Sequence, residues 1–235
     1  MLPPKDEELE APRPSSATGN SVEGRIIYLL ILVALVNFIY PITLQWPGPA
    51  TLIIYNVFYV GMFAASILIV RGKRRLRLLI LATAFIYFTF SILYALEPNS
   101  SWRVMFTYLA LIPYQLAIIW VLERFTFAAR RVNRDVLFAA VTIYLLLGAI
   151  FVPIYGILEL VQPGSIIDGA SPDTPVVWQQ LIYYSLVTLT TTGYGDILPI
   201  SPWVRAVANV QSVMGVLFLA VTMARLVGLY SQHES

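Results

Sequence analysis

Six apolar stretches, each about the length that crosses a bilayer, divide this chain of 235 residues. Spanning about 30 Å of hydrocarbon takes about 20 residues of helix. Lipid offers backbone groups no hydrogen bonds, so runs of this kind satisfy their own by coiling into helices. The runs fall at 26–44, 50–70, 78–96, 102–122, 136–160 and 202–230. Pro47 and Pro49 stop the first helix, and a kink is expected at Pro113 in the fourth. With 58% hydrophobic and 12% charged residues, the expected fold class is an all-α membrane protein with six transmembrane helices.

Charge sets an orientation. With the N-terminus inside the cell, thirteen of the fifteen Lys and Arg residues fall on the cytoplasmic side, leaving only Arg103 and Arg205 outside. This is the positive-inside pattern. It predicts a multi-pass protein of the plasma or inner membrane with both termini cytoplasmic. Residues 1–24 hold four prolines and an acidic cluster, a composition that buries too little apolar surface to order itself. They are expected to be a disordered cytoplasmic tail. Residues 25–122 are expected to form a four-helix domain, 123–135 a basic linker folded as an amphipathic interfacial helix, 136–230 a further unit, and 231–235 a short cytoplasmic tail.

Several chemistries are excluded. The chain has no cysteine and one histidine, His233, near its end, so thiol catalysis, disulfides and multi-histidine metal sites have nothing to build on. A net charge of +2 argues against a nucleic-acid partner. No enzyme and no cofactor is expected. The basic runs Arg71–Arg77 and Arg124–Arg134 suit anionic lipid headgroups.

Between the last two spans the chain changes character. After the loop "VQPGSIIDGASPDTP", Thr174 and Pro175 read as an N-cap and first helical position, a pattern that Ser201 and Pro202 repeat at the start of the last span. The apolar and aromatic run from 175 to 190 makes a helix of about 22 Å, too short to cross. It dips into the membrane and stops, and "TTGYGD" climbs back out. Irregular backbone at that depth is tolerated only inside protein or beside a wet path. Gly193 and Gly195 permit positive φ, so successive carbonyls can face one way and replace the water around a dehydrated cation. The short helix aims its partially negative C-terminus at the same place. A tight turn between two helices is the plain alternative.

"TLTTTGYGD" at 188–196 resembles the signature of the potassium channel family, whose filters are rings of backbone carbonyls. The resemblance covers residues 136–230 as outer helix, pore helix, filter and inner helix. It implies potassium as the permeant ion, sites at Thr191, Thr192, Gly193, Tyr194 and Gly195, and a homotetramer. Thr192 departs from the family, where valine or isoleucine is usual, which leaves a weakly selective cation pore open. A receptor or scaffold that no longer conducts is the reading from another class. In the family Asp196 lies just outside the filter and needs a donor. Tyr183, thirteen residues earlier, stands where relatives often carry a tryptophan that donates to this acid, so a Tyr183–Asp196 hydrogen bond is expected.

In the last span Gly215 is either a hinge or a close-packing position. Val216, Leu219, Met223 and Val227 recur at helical spacing and face either a pore or neighbouring helices and lipid. Voltage sensing needs charges within the field, and the fourth span has none between Arg103 and Arg124 except Glu123 at its inner end. Strong voltage gating is therefore not expected. Asn37, Asn56 and Gln115 are expected to make polar contacts within the first four spans, Gln115 to another helix.

Overall fold

The computed structural model describes residues 20–45, 49–70, 73–96 and 100–231. Eight helices follow in order: α1 (Asn20–Phe38), α2 (Tyr40–Leu44), α3 (Pro49–Ile69), α4 (Arg74–Leu96), α5 (Ser101–Ala128), α6 (Arg134–Val161), α7 (Trp178–Leu189) and α8 (Pro202–Ser231). The only strands among the described residues are β1 (Ile166–Asp168) and β2 (Ile197–Pro199), paired antiparallel with Ile167 opposite Leu198. The architecture is all-α. Six helices, counting α1 and α2 as one, are long and apolar enough to cross a membrane. The chain is a multi-pass membrane protein.

Three boundaries and one side-chain contact differ from the sequence reading. Of the tail expected at 1–24, residues 1–19 lie outside the described residues, while 20–24 open α1. A helix already nucleated gains a hydrogen bond for each residue added, so it extends past its apolar run. No separate interfacial helix forms at 123–135. α5 continues through Ala128, and only 129–133 interrupt the path to α6. Phe125 packs against the core and Thr126 is buried, so the first turns of the supposed linker are held as part of α5. Asn133 then caps α6, its Oδ1 accepting from Val136 N at 3.0 Å. Arg71 and Gly72 lie outside the described residues, as do residues 232–235 of the expected tail.

The third difference concerns the short helix. It starts at Trp178, not Pro175. Thr174 Oγ1 donates back to Ser171 O at 2.9 Å, and the N-cap position of α7 falls three residues later, at Val177. Gln180 caps instead, its Oε1 accepting from Val177 N at 2.9 Å. The cap expected at Ser201 is present, with Val204 N donating to Ser201 Oγ at 3.2 Å.

Among the first four spans, Asn56 and Ser91 bond each other across α3 and α4, at 2.9 and 3.1 Å. Asn37 turns back to Val33 O of its own helix at 2.8 Å. The fourth difference is Gln115, which is buried but makes no inter-helix bond, its Oε1 facing no donor. Lys73 and Arg124 both lie over the Trp120 ring, 5.2 and 4.3 Å from its centroid.

Candidate ion pathway

Twelve residues of α7 reach about 18 Å, short of the roughly 30 Å of a bilayer core. A buried polar cluster fixes where this helix stops. Ser185 Oγ donates to Gly148 O of α6 at 2.6 Å. Gln211 of α8 donates through Nε2 to Ser185 O at 3.0 Å and Ser185 Oγ at 2.7 Å. Tyr155 Oη of α6 donates to Gln211 Oε1 at 2.6 Å. Tyr155, Ser185 and Gln211 are fully buried, so three helices are locked by one satisfied network. Ser212 adds a bond to Thr188 O at 3.1 Å. The sequence reading did not single out Gln211 or Ser185. A polar side chain in the middle of an apolar span was the available signal.

Beyond Leu189 the backbone leaves the helix. Thr190 N, Thr191 N and Thr192 N still reach the carbonyls of Leu186, Thr188 and Val187 at 3.0 Å. From there the sign of φ alternates, positive at Thr191 (56°), Gly193 (54°) and Gly195 (78°) but not at Thr192 or Tyr194. Such alternation turns N–H groups to one side of the chain and carbonyls to the other. For Thr191, a β-branched residue, the conformation is strained by about 1–2 kcal/mol. Among the described residues no hydrogen bond is accepted by the carbonyls of 191–195. The whole segment 190–196 is exposed on the single chain, Tyr194 by 72%. The Thr192 hydroxyl lies 2.8 Å from that of Thr190, which itself donates to Leu186 O at 2.9 Å.

Asp196 is held at three atoms. Tyr183 Oη donates to its Oδ2 at 2.6 Å, the pairing that the family resemblance implies. Ile197 N donates to Oδ1 at 3.0 Å, and Gly169 N donates to its backbone O at 2.7 Å. Behind it the β1–β2 pairing is anchored by Glu159, whose carboxylate accepts from Gly164 N, Ser165 Oγ and Ile166 N at 2.7 to 3.0 Å. The Tyr183 bond holds the Asp196 carboxyl below its usual 3.8.

Along α8, Val216, Leu219, Met223 and Val227 are all exposed on the single chain. Within its apolar 18-residue window only 11% of this span is buried, against 67% in the corresponding window of α6. Gly215 is where α8 meets α7. A Cβ there would collide with the Leu189 carbonyl oxygen and lie 3.1 Å from Leu189 Cδ1. Near its C-terminal end, Arg225 donates to Phe127 O and, at 3.1 Å, to Ala129 O. This ties α8 to the end of α5.

Residues 136–232 match the family model described as ion channel, which assigns them to a channel and not to an enzyme. Comparison with curated proteins and with solved structures found no match. The short helix, the irregular strand after it and the two spans on either side thus form an ion channel pore domain on a chain with six candidate membrane spans.

Proposed function

We propose that this protein is a potassium-selective channel, assembled as a homotetramer, that conducts passively and is not strongly gated by voltage. One observation carries the reading: five consecutive carbonyls, at Thr191, Thr192, Gly193, Tyr194 and Gly195, lack hydrogen-bond partners on a segment of alternating φ. Unpaired carbonyls at membrane depth are costly unless something polar meets them, and a dehydrated cation does so. A single strand cannot surround an ion, so several copies converge. The sparse burial of α8 leaves it free to pack against those copies, with Val216, Leu219, Met223 and Val227 lining the path below the filter.

In this reading 25–122 is a peripheral four-helix domain and 136–230 the pore, with both termini in the cytoplasm of a plasma- or inner-membrane channel. Lys73 and Arg124, clustered at Trp120, present charge to anionic lipid at the inner face. A weakly selective cation pore is the second reading, favoured by the polar side chain at Thr192. Cation flux from liposomes holding the purified protein decides among them. Potassium alone supports the proposal, sodium and potassium together the second reading, and no flux a receptor or scaffold.

A further inference from the structure

A cavity of about 100 Å³ lies where the first four spans meet the pore domain. Helices α1, α3, α4, α5, α6 and α7 all contribute to its wall, which carries five tyrosines and no charged side chain. Asn56 and Ser91 line it already paired with each other. Among the described residues, the hydroxyls of Tyr114, Tyr155 and Tyr183 bond other side chains. Those of Tyr59 and Tyr108, which line the cavity, are not among them. On the pore side the wall is Trp178 and Ile182 of α7, and Trp178 packs edge-on against Tyr55 with ring centroids 4.4 Å apart. A second cleft of about 370 Å³ shares Val104, Tyr108 and Trp178 with the cavity and reaches Glu159 near the outer loop, giving a route in.

We propose that this cavity binds a small neutral molecule with an aromatic body and a hydroxyl group, a phenol, and that its occupancy acts on the pore through Trp178 and Ile182. An uncharged wall in a lipid-surrounded site excludes ions, which lose several kcal/mol when desolvated without a partner. Aromatic rings favour an aromatic guest that meets them edge-on or offset. Hydroxyls without partners favour a guest that both donates and accepts. Water is the competitor, since the space matches about three molecules at about 30 Å³ each. A phenol gains the ring contacts that water lacks. The α7 residues it touches sit on the helix that ends at the filter, so a bound guest and the position of that helix are linked.

The test uses the full chain in lipid nanodiscs and para-fluorophenol as probe, read by fluorine NMR. The expected result is a saturable bound resonance, absent from empty nanodiscs and displaced by phenol. Removing both hydroxyls without changing shape, in Tyr59→Phe with Tyr108→Phe, is expected to weaken binding about tenfold. Val104→Phe, which fills the junction of cavity and cleft, is expected to abolish it. A signal matching empty nanodiscs, or equal binding by wild type and Val104→Phe, overturns the site and leaves water or bulk lipid as the occupant. The coupling half rests on the channel reading: phenol is expected to change potassium flux in wild type and not in Val104→Phe. Binding without a flux change overturns that half. A protein that passes no ion under any condition refutes the channel reading while the binding measurement still decides the site.

Discussion

Tyr183 Oη and Asp196 Oδ2 lie 2.6 Å apart, joining α7 to the C-terminal end of the candidate filter across 13 residues of sequence. This bond lowers the Asp196 carboxyl from 3.8, while burial first and then the bond itself raise the Tyr183 hydroxyl to about 12. A lowered acid contributes stability that is present above 3.8 and lost as pH falls through its folded value. A raised phenol contributes stability present below its usual 10.0 and lost as pH rises through about 12. Between about pH 5 and pH 9 both partners therefore keep their protonation states. Tyr183→Phe is expected to speed the decline of current during sustained opening at every pH in that window, with wild type unaffected by pH. Recordings in which Tyr184→Phe, and not Tyr183→Phe, hastens the decline assign the bond's role to the wrong tyrosine.

Gly193 and Gly195 occupy φ values of 54° and 78°, where a Cβ costs about 1–2 kcal/mol per residue. Alanine at either position is expected to abolish potassium selectivity, read as a shift of the reversal potential in mixed potassium and sodium. At Thr192 the near-isosteric valine removes the contact with Thr190 and restores the residue usual in the resembled family. Thr192→Val is expected to change the sodium-to-potassium permeability ratio, and Thr192→Ser to preserve it. Identical ratios in all three proteins mean that the hydroxyl contact has no part in selectivity.

Gly215 permits α8 to lie directly against the Leu189 carbonyl, which a Cβ would strike. Overpacking of this kind costs about 1–3 kcal/mol. Gly215→Ala is expected to disturb the filter and lower unitary conductance along with open probability, because the collision is with the end of the pore helix. A fall in open probability at unchanged conductance points instead to a hinge.

Gln211 holds α6 and α7 to α8 through three hydrogen bonds, to Tyr155, Ser185 O and Ser185 Oγ. Gln211→Leu leaves buried donors and acceptors unpaired, at about 1–3 kcal/mol for each such group. The expected outcome is a thermal unfolding midpoint several degrees lower and a faster loss of current. Gln211→Glu is expected to be worse than leucine, since a buried carboxylate faces the Ser185 carbonyl.

In α5 the stretch from Arg103 to Glu123 has no charge, and each elementary charge crossing 100 mV is worth about 2.3 kcal/mol. Open probability is expected to vary weakly with voltage. A steep activation curve that Arg103→Gln flattens contradicts this.

The spans, the re-entrant helix and the irregular segment after it were legible in the residues because each follows from local composition. Lipid forces twenty apolar residues to coil, twelve or so cannot cross, and glycines at alternate positions mark backbone that is neither helix nor strand. Ser201 was readable as a cap since its partner is three residues away. Thr174 was misread because α7 starts three residues further on, where the Gln180 side chain accepts from Val177 N. Tyr183 and Asp196 were paired only with the help of a family resemblance.

Composition alone thus determined that this is a membrane protein with six apolar helices, and motif placed an irregular segment between the last two. Tertiary structure decided that Ser185, Gly148, Gln211 and Tyr155, whose bonded pairs lie 26 to 56 positions apart along the chain, meet in one buried network. It also set Gly215 against Leu189 and left Gln115 without the bond expected of it. The physical reason is range. Backbone hydrogen bonds in lipid close within a turn and are dictated residue by residue, whereas a side chain's partner on another helix depends on the rotation and depth at which whole helices pack.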